Sequence, residues 1–151
     1  MEHHMTLADL IRSTAAVGEY YRRQARAAVQ RGRLDREEAD RQLGAWSRAL
    51  EKARLQLERT TVEGGGADTW WHDIQLDVVA FDSATTLDTH YVNNDQCTCR
   101  ACDHGHACWH RAAARVILDW HQRTTHAQKP VRARPKHSMA ELQAAADELY
   151  A

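Results

Sequence analysis

Apolar residues recur at three- and four-residue steps through the first third of the chain. Leu7, Leu10, Thr14, Val17, Tyr21, Ala25 and Ala28 form one series, and Ala39, Leu43, Trp46, Leu50, Ala53 and Leu57 form a second. Each series draws a single stripe along one face of a helix, as a coiled-coil seam requires. Between them, QRGRLDREE supplies Gly32 for the C-cap of the first helix and Asp35 for the N-cap of the second. Glu38, three residues after Asp35, stands in the position of a capping box. So short a connection predicts an antiparallel helical hairpin over residues 6–60. Glu37/Arg41 and Arg54/Glu58 lie four apart and support its outer face weakly. Two helices bury little by themselves, so the hairpin is expected to pack on the rest of the chain or to pair with a second copy as a homodimer.

The pattern then breaks. TTVEGGGADT carries three consecutive glycines without the Lys-Ser/Thr of a phosphate-binding loop, and residues 61–69 read as a linker. HDIQLDVVA, 72–80, alternates Ile74, Leu76, Val78 and Ala80 with polar positions, the signature of a half-buried strand. LDTHYV, 87–92, repeats the alternation, and NND, 93–95, turns the chain into Gln96–Cys99. A small three-strand antiparallel meander is expected. From Trp109 the period becomes helical again through Ala112, Ala113, Val116, Ile117 and Trp120. RTTHAQKPVRARPKH, 123–137, has no apolar period and reads as a basic linker or arm. Ser138 and Glu141 make a capping box for a last short helix over 138–151. The expected fold class is α+β: a helical hairpin, a ββ(β)α module over 70–122, and a short C-terminal helix. Trp46, Trp120 and Tyr21 read as core or interface residues.

At 151 residues the chain fits one domain or two small ones. No stretch approaches the roughly 20 apolar residues that span a bilayer, and no apolar secretory segment opens the chain. No membrane association and a cytoplasmic location, where thiols stay reduced, are the expectations. Net charge is only −1, but its distribution is uneven. Residues 61–96 hold seven acidic side chains and no Lys or Arg, whereas residues 97–137 hold eight basic and two acidic. Such asymmetry points either to an anionic partner or to complementarity within the chain.

QCTCRACDHGHACWHR, 96–111, contains all four cysteines and three of the ten histidines. His3 and His4, ahead of Met5, are set aside. Thiolate binds Zn²⁺ at about 2.3 Å and imidazole at about 2.0–2.1 Å, in a tetrahedron that four side chains can close. Cys97 and Cys99, two apart on a strand, point to the same face. Cys108 and His110 form a second pair where the helix begins, and its dipole favours the negative charge of a Zn(Cys)₃His centre. Residues 100–107 would join the two pairs as a loop. That loop holds Cys102, His104 and His106, so seven candidates compete for four places.

The spacing C-x-C-x(n)-C-x-H, with HYVNND before it and RAAARVI after it, resembles a SWIM-type zinc finger of the small prokaryotic or phage kind. The likeness covers roughly residues 72–121. It implies a CxC on a β-hairpin, a CxH opening a helix, and one structural zinc ion on Cys97, Cys99, Cys108 and His110. Arg100 stands where members of that family often have Pro. A fourth protein ligand fills the position a catalytic water would take, and HExxH, nucleophile-elbow and deaminase motifs are absent, so an enzyme is not expected. Removing zinc is expected to unfold residues 72–121 before the hairpin.

SWIM modules occur in remodelling ATPases, transposases, ubiquitin ligases and recombination accessory proteins, so the resemblance implies nucleic-acid or protein binding. For a nucleic-acid-binding accessory protein, Arg100, Arg111 and Arg115 would project from the zinc module, with Lys129, Arg132, Arg134 and Lys136 along the arm. For a protein-binding adaptor, or a phage-encoded inhibitor docking on a host or recombination protein, the acidic meander with Trp70 and Trp71 would be the contact surface.

Overall fold

The computed structural model describes residues 4–62, 69–83, 88–128 and 147. Helix α1, Leu7–Gln30, begins at a capping box that its sequence pattern had not disclosed: Thr6 Oγ1 accepts the Asp9 N–H, and Asp9 accepts the Thr6 N–H. These bonds hold the Asp9 carboxyl below its usual range. The helix ends in a Schellman arrangement, with Gly32 N–H on the Val29 carbonyl and Arg33 N–H on that of Ala28. Gly32 takes φ +69°, the left-handed conformation such an ending requires. Helix α2, Arg36–Leu57, starts at Asp35, whose side chain accepts the Glu38 N–H at 2.8 Å. The reciprocal half of the expected box is not made, because the Glu38 carboxylate turns to Arg41 and Gln42. A π-helical turn, Glu58–Val62, follows directly.

Four strands follow where three were expected: β1 Thr69–Asp73, β2 Val78–Asp82, β3 Thr89–Asn93 and β4 Gln96–Cys97, paired antiparallel in that order. The segment 72–80 is a hairpin, not a strand. Asp73 Oδ1 accepts the N–H groups of Gln75 and Leu76, and Asp77 turns through φ +52°. Ile74 and Leu76, whose alternation suggested a buried face, lie in that turn and are 66% and 68% exposed. Carboxylate capping of a tight turn outweighed a period-two pattern carried by two apolar residues. The second turn, Asn94–Asp95, has both residues at positive φ and joins β3 to β4 as a two-residue hairpin of the primed type.

Helix α3, Arg100–Asp103, is a single turn within the expected loop, and α4 runs from Trp109 to Gln128, past the boundary expected at 123. The arm carrying Lys129, Arg132, Arg134 and Lys136, and the helix expected over 138–151, lie outside the described residues.

Helix α4 decides the tertiary arrangement. It packs against α1 and α2 and also against β3 and β4. Ala112, Ala113, Ala114, Val116 and Ile117 are all fully buried, which is the pattern of a helix enclosed on most sides. Alternate residues of the sheet, Trp70, Phe81 and His90 on one rung and His72, Val79, Val92 and Cys97 on the next, form its inner face. Leu10, Val17, Tyr21, Leu50, Ala53 and Leu57 of the hairpin join Val79, Phe81 and Val92 in one core. The hairpin seam is therefore covered by α4 of the same chain, and hairpin and ββα module are not separate units. Leu7, assigned to the seam, is largely exposed. No described helix is long and apolar enough to cross a membrane.

Candidate metal centre

The two-residue turn at Asn94–Asp95 brings Cys97 opposite Val92, on the inner face of the sheet. Thr98 prolongs the pairing: its N–H bonds the Tyr91 carbonyl at 3.1 Å and its Oγ1 accepts the Tyr91 N–H at 3.0 Å. Cys99 is the N-cap of α3. The chain then reverses through Gly105, at φ +73°, and enters α4 with Cys108 just before its first residue and His110 in its first turn. Cys97, Cys99, Cys108 and His110 are all buried, and their potential ligand atoms lie within 4.8 Å of one another.

Cys99 Sγ and Cys108 Sγ are 3.2 Å apart, and Cys108 Sγ is 3.6 Å from His110 Nδ1. A tetrahedron built on metal–sulfur bonds of about 2.3 Å has edges of about 3.5–4 Å; the two separations lie near that value and the whole set within 4.8 Å, a cluster that can hold one metal ion. The imidazole of His110 is held by rings: Trp109 at 4.1 Å, His90 at 4.8 Å and Phe81 at 5.3 Å between centroids. Packing of this kind fixes the orientation of a ligand before any ion arrives.

The thiols are unequal. Cys108 is driven down to about 3 by a hydrogen bond from Cys97, helped by His110 and the Arg111 N–H. Cys97 is pushed up because it supplies that hydrogen bond and is buried, and Cys99 is pushed up chiefly by burial. The three thiols titrate as one coupled group, and a bound cation would favour ionising them together.

The remaining loop candidates stand apart from this set. Cys102 lies on α3 and uses its sulfur to accept the Cys97 N–H at 3.4 Å, while His104 and His106 are exposed. No family of known proteins, no curated protein and no solved structure matches this chain. The SWIM resemblance accordingly rests on the ligand spacing and on the hairpin–helix geometry just described.

The arginines expected to project from the module are placed differently. Arg100 is exposed. Arg111 and Arg115 instead turn toward the hairpin: Arg111 donates to Asp95 Oδ2 at 2.9 Å, and Arg115 forms an ion pair with the same oxygen at 2.8 Å. The Arg111 guanidinium lies 4.6 Å over the Trp46 ring and that of Arg115 lies 4.0 Å over Tyr20. Trp46 in turn stacks on Tyr21 at 4.9 Å. Asp95, a residue of the turn before the first ligand, is thus tied through α4 to both hairpin helices. Nothing in its sequence context except an isolated acid in a turn marked that role.

A groove opens on the other side of the cluster, between α2 and the segment 99–110. It has a volume of about 530 Å³ and is lined by Arg48, Lys52, His106 and Trp109 among others, with no carboxylate in its wall. The Lys52 ammonium lies 5.8 Å from the Trp109 ring centre. Arg48 and Lys52 carry no local sequence signal of this role; their place beside the cluster depends on how α2 crosses the ligand loop.

Proposed function

We propose that this chain is a zinc-binding interaction protein of the SWIM type, cytoplasmic and not an enzyme, acting as a nucleic-acid-binding accessory factor. Zinc is favoured over other ions by the donor set, three sulfurs and one imidazole in a tetrahedral span. Four buried protein ligands leave no position for a reactive water, which makes the ion a structural one that holds the ligand loop against β4 and α4.

The reading of the partner is carried by the groove beside the cluster. Arg48 and Lys52 line it without a facing carboxylate. Cys99, Cys108 and His110 also line the groove, and its two cations outweigh the single net negative charge of a Zn(Cys)₃His centre, which favours a phosphate backbone. Arg111 and Arg115 are not part of this surface, since both are engaged with Asp95.

The test is the anisotropy of fluorescein-labelled single- and double-stranded DNA mixed with zinc-loaded protein over a salt series. Log affinity is expected to fall linearly with log salt, and Arg48→Ala with Lys52→Ala to flatten the slope by about 0.7–0.9 for each phosphate contact removed. Absence of binding at low salt, where electrostatic attraction is strongest, would overturn the nucleic-acid reading and leave the metal assignment standing.

A further inference from the structure

The outer face of the sheet carries a second surface, of opposite character to the groove. Trp71, Ala80 and Tyr91 occupy one rung of β1, β2 and β3. Ala80, between the two aromatic residues, is fully buried although it faces away from α4. The rings themselves remain 45% and 47% exposed, forming an aromatic platform open to solvent. Asp82 lies one rung to one side and Asp73 one rung to the other, on the same face. Asp82 accepts a hydrogen bond from Thr89, and Asp73 caps the β1–β2 turn. Exposed Ile74 and Leu76 extend the apolar surface at that turn.

Exposed aromatic area of this kind marks a contact surface, since Trp and Tyr dominate binding hot spots. Charge decides the occupant. Residues 61–96 include no Lys or Arg, so Asp73 and Asp82, which flank the platform on its own face, have no compensating cation from their own segment. A phosphate backbone would be repelled there, and a second copy placed face to face would oppose carboxylate to carboxylate. An Arg- or Lys-bearing polypeptide satisfies both features, its cations meeting the ring faces and the carboxylates while its apolar residues cover the platform. We infer that the outer face of the sheet, centred on Trp71 and Tyr91, is a docking site for a basic segment of a partner protein. The chain would then join a protein to a nucleic acid through opposite surfaces.

The experiment uses full-length, metal-loaded protein and a fluorescein-labelled peptide of about twelve residues alternating Arg and Val, with a Glu/Val peptide as control. Saturable binding of the Arg peptide alone is expected. Trp71→Ala or Tyr91→Ala should weaken it at least about tenfold, as truncation of a hot-spot aromatic does. Asp73→Asn with Asp82→Asn, which keeps both side-chain acceptors, should weaken it and lessen its salt dependence. Arg48→Ala with Lys52→Ala should leave it unchanged, which separates this surface from the groove. Metal content and far-ultraviolet dichroism verify that each variant is folded; if the aromatic variants are not, the paired Asn variant decides. Failure of the Arg peptide to saturate, or undiminished binding by the paired Asn variant, would overturn the inference. So would loss of oligonucleotide binding in Trp71→Ala with its retention in Arg48→Ala/Lys52→Ala, a result that would assign the face to nucleic acid.

Discussion

Replacing Asp95 with Asn removes one charge and little else. Asn tolerates the left-handed conformation that Asp95 holds, φ +64°, so the β3–β4 turn survives. What is lost is the anion between two guanidiniums whose side chains are only 22% and 26% exposed. Removing one partner of a fully buried pair costs about 3–5 kcal/mol, whereas exposed pairs contribute about 0–1 kcal/mol. Asp95 is itself 39% exposed, which lets water screen part of the interaction. An intermediate value of about 2 kcal/mol follows, equivalent to a fall of roughly 4–8 °C in Tm for a chain of this size. Urea unfolding of metal-loaded protein, followed by tryptophan fluorescence, measures it directly because Trp46 lies beneath Arg111. Arg111→Met in the Asp95→Asn background should cost less than the two changes summed, since they remove one shared interaction. A loss below about 0.5 kcal/mol with unchanged slope against urea would refute the argument that this ion triad fastens the sheet to the hairpin. Asp95→Asn also tests the placement of the arginines: if they served phosphate binding, freeing them would raise oligonucleotide affinity, and no such rise is expected.

Two further outcomes concern the cluster. Cys108→Ser should abolish stoichiometric metal binding, while Cys102→Ser, which alters only an N–H acceptor outside the four-residue set, should retain one ion per chain in elemental analysis. Chelation of the native protein should lower far- and near-ultraviolet dichroism together, because α4 carries two ligands and also fills the hairpin seam; loss of the module with an intact hairpin would refute the shared core. Metal binding should release protons near neutral pH, chiefly from Cys97 and Cys99, whose thiols are held up by burial and by hydrogen bonding to Cys108. Calorimetry in buffers of differing ionisation enthalpy counts them. The sign for Cys108 is that of a depressed group: in the metal-free protein its ionisation stabilises the fold above the unfolded thiol value near 8.5, and that contribution is lost as pH falls through its lowered folded-state value. Binding without proton release would contradict ligation by thiolates.

Much of this molecule was legible from local pattern. Helix periodicity, the caps at Gly32 and Asp35, the Asn94–Asp95 turn and the C-x-C and C-x-H pairs each depend on a few neighbouring residues, and each appears in the structure. Periodicity misled at Ile74 and Leu76, where a turn capped by the Asp73 carboxylate outweighed a short alternation. The roles of Arg111, Arg115 and Asp95 were beyond sequence reading for a different reason. A long cationic side chain reads the same whether it meets solvent, a phosphate or a carboxylate sixteen residues away, and only the crossing of α4 over the hairpin decides which. The same crossing set Arg48 and Lys52 beside the ligand loop and left Trp71 and Tyr91 on the open side of the sheet. Local spacing, in short range along the chain, determined which residues could bind a metal; long-range packing determined which charges and rings were left to meet a partner.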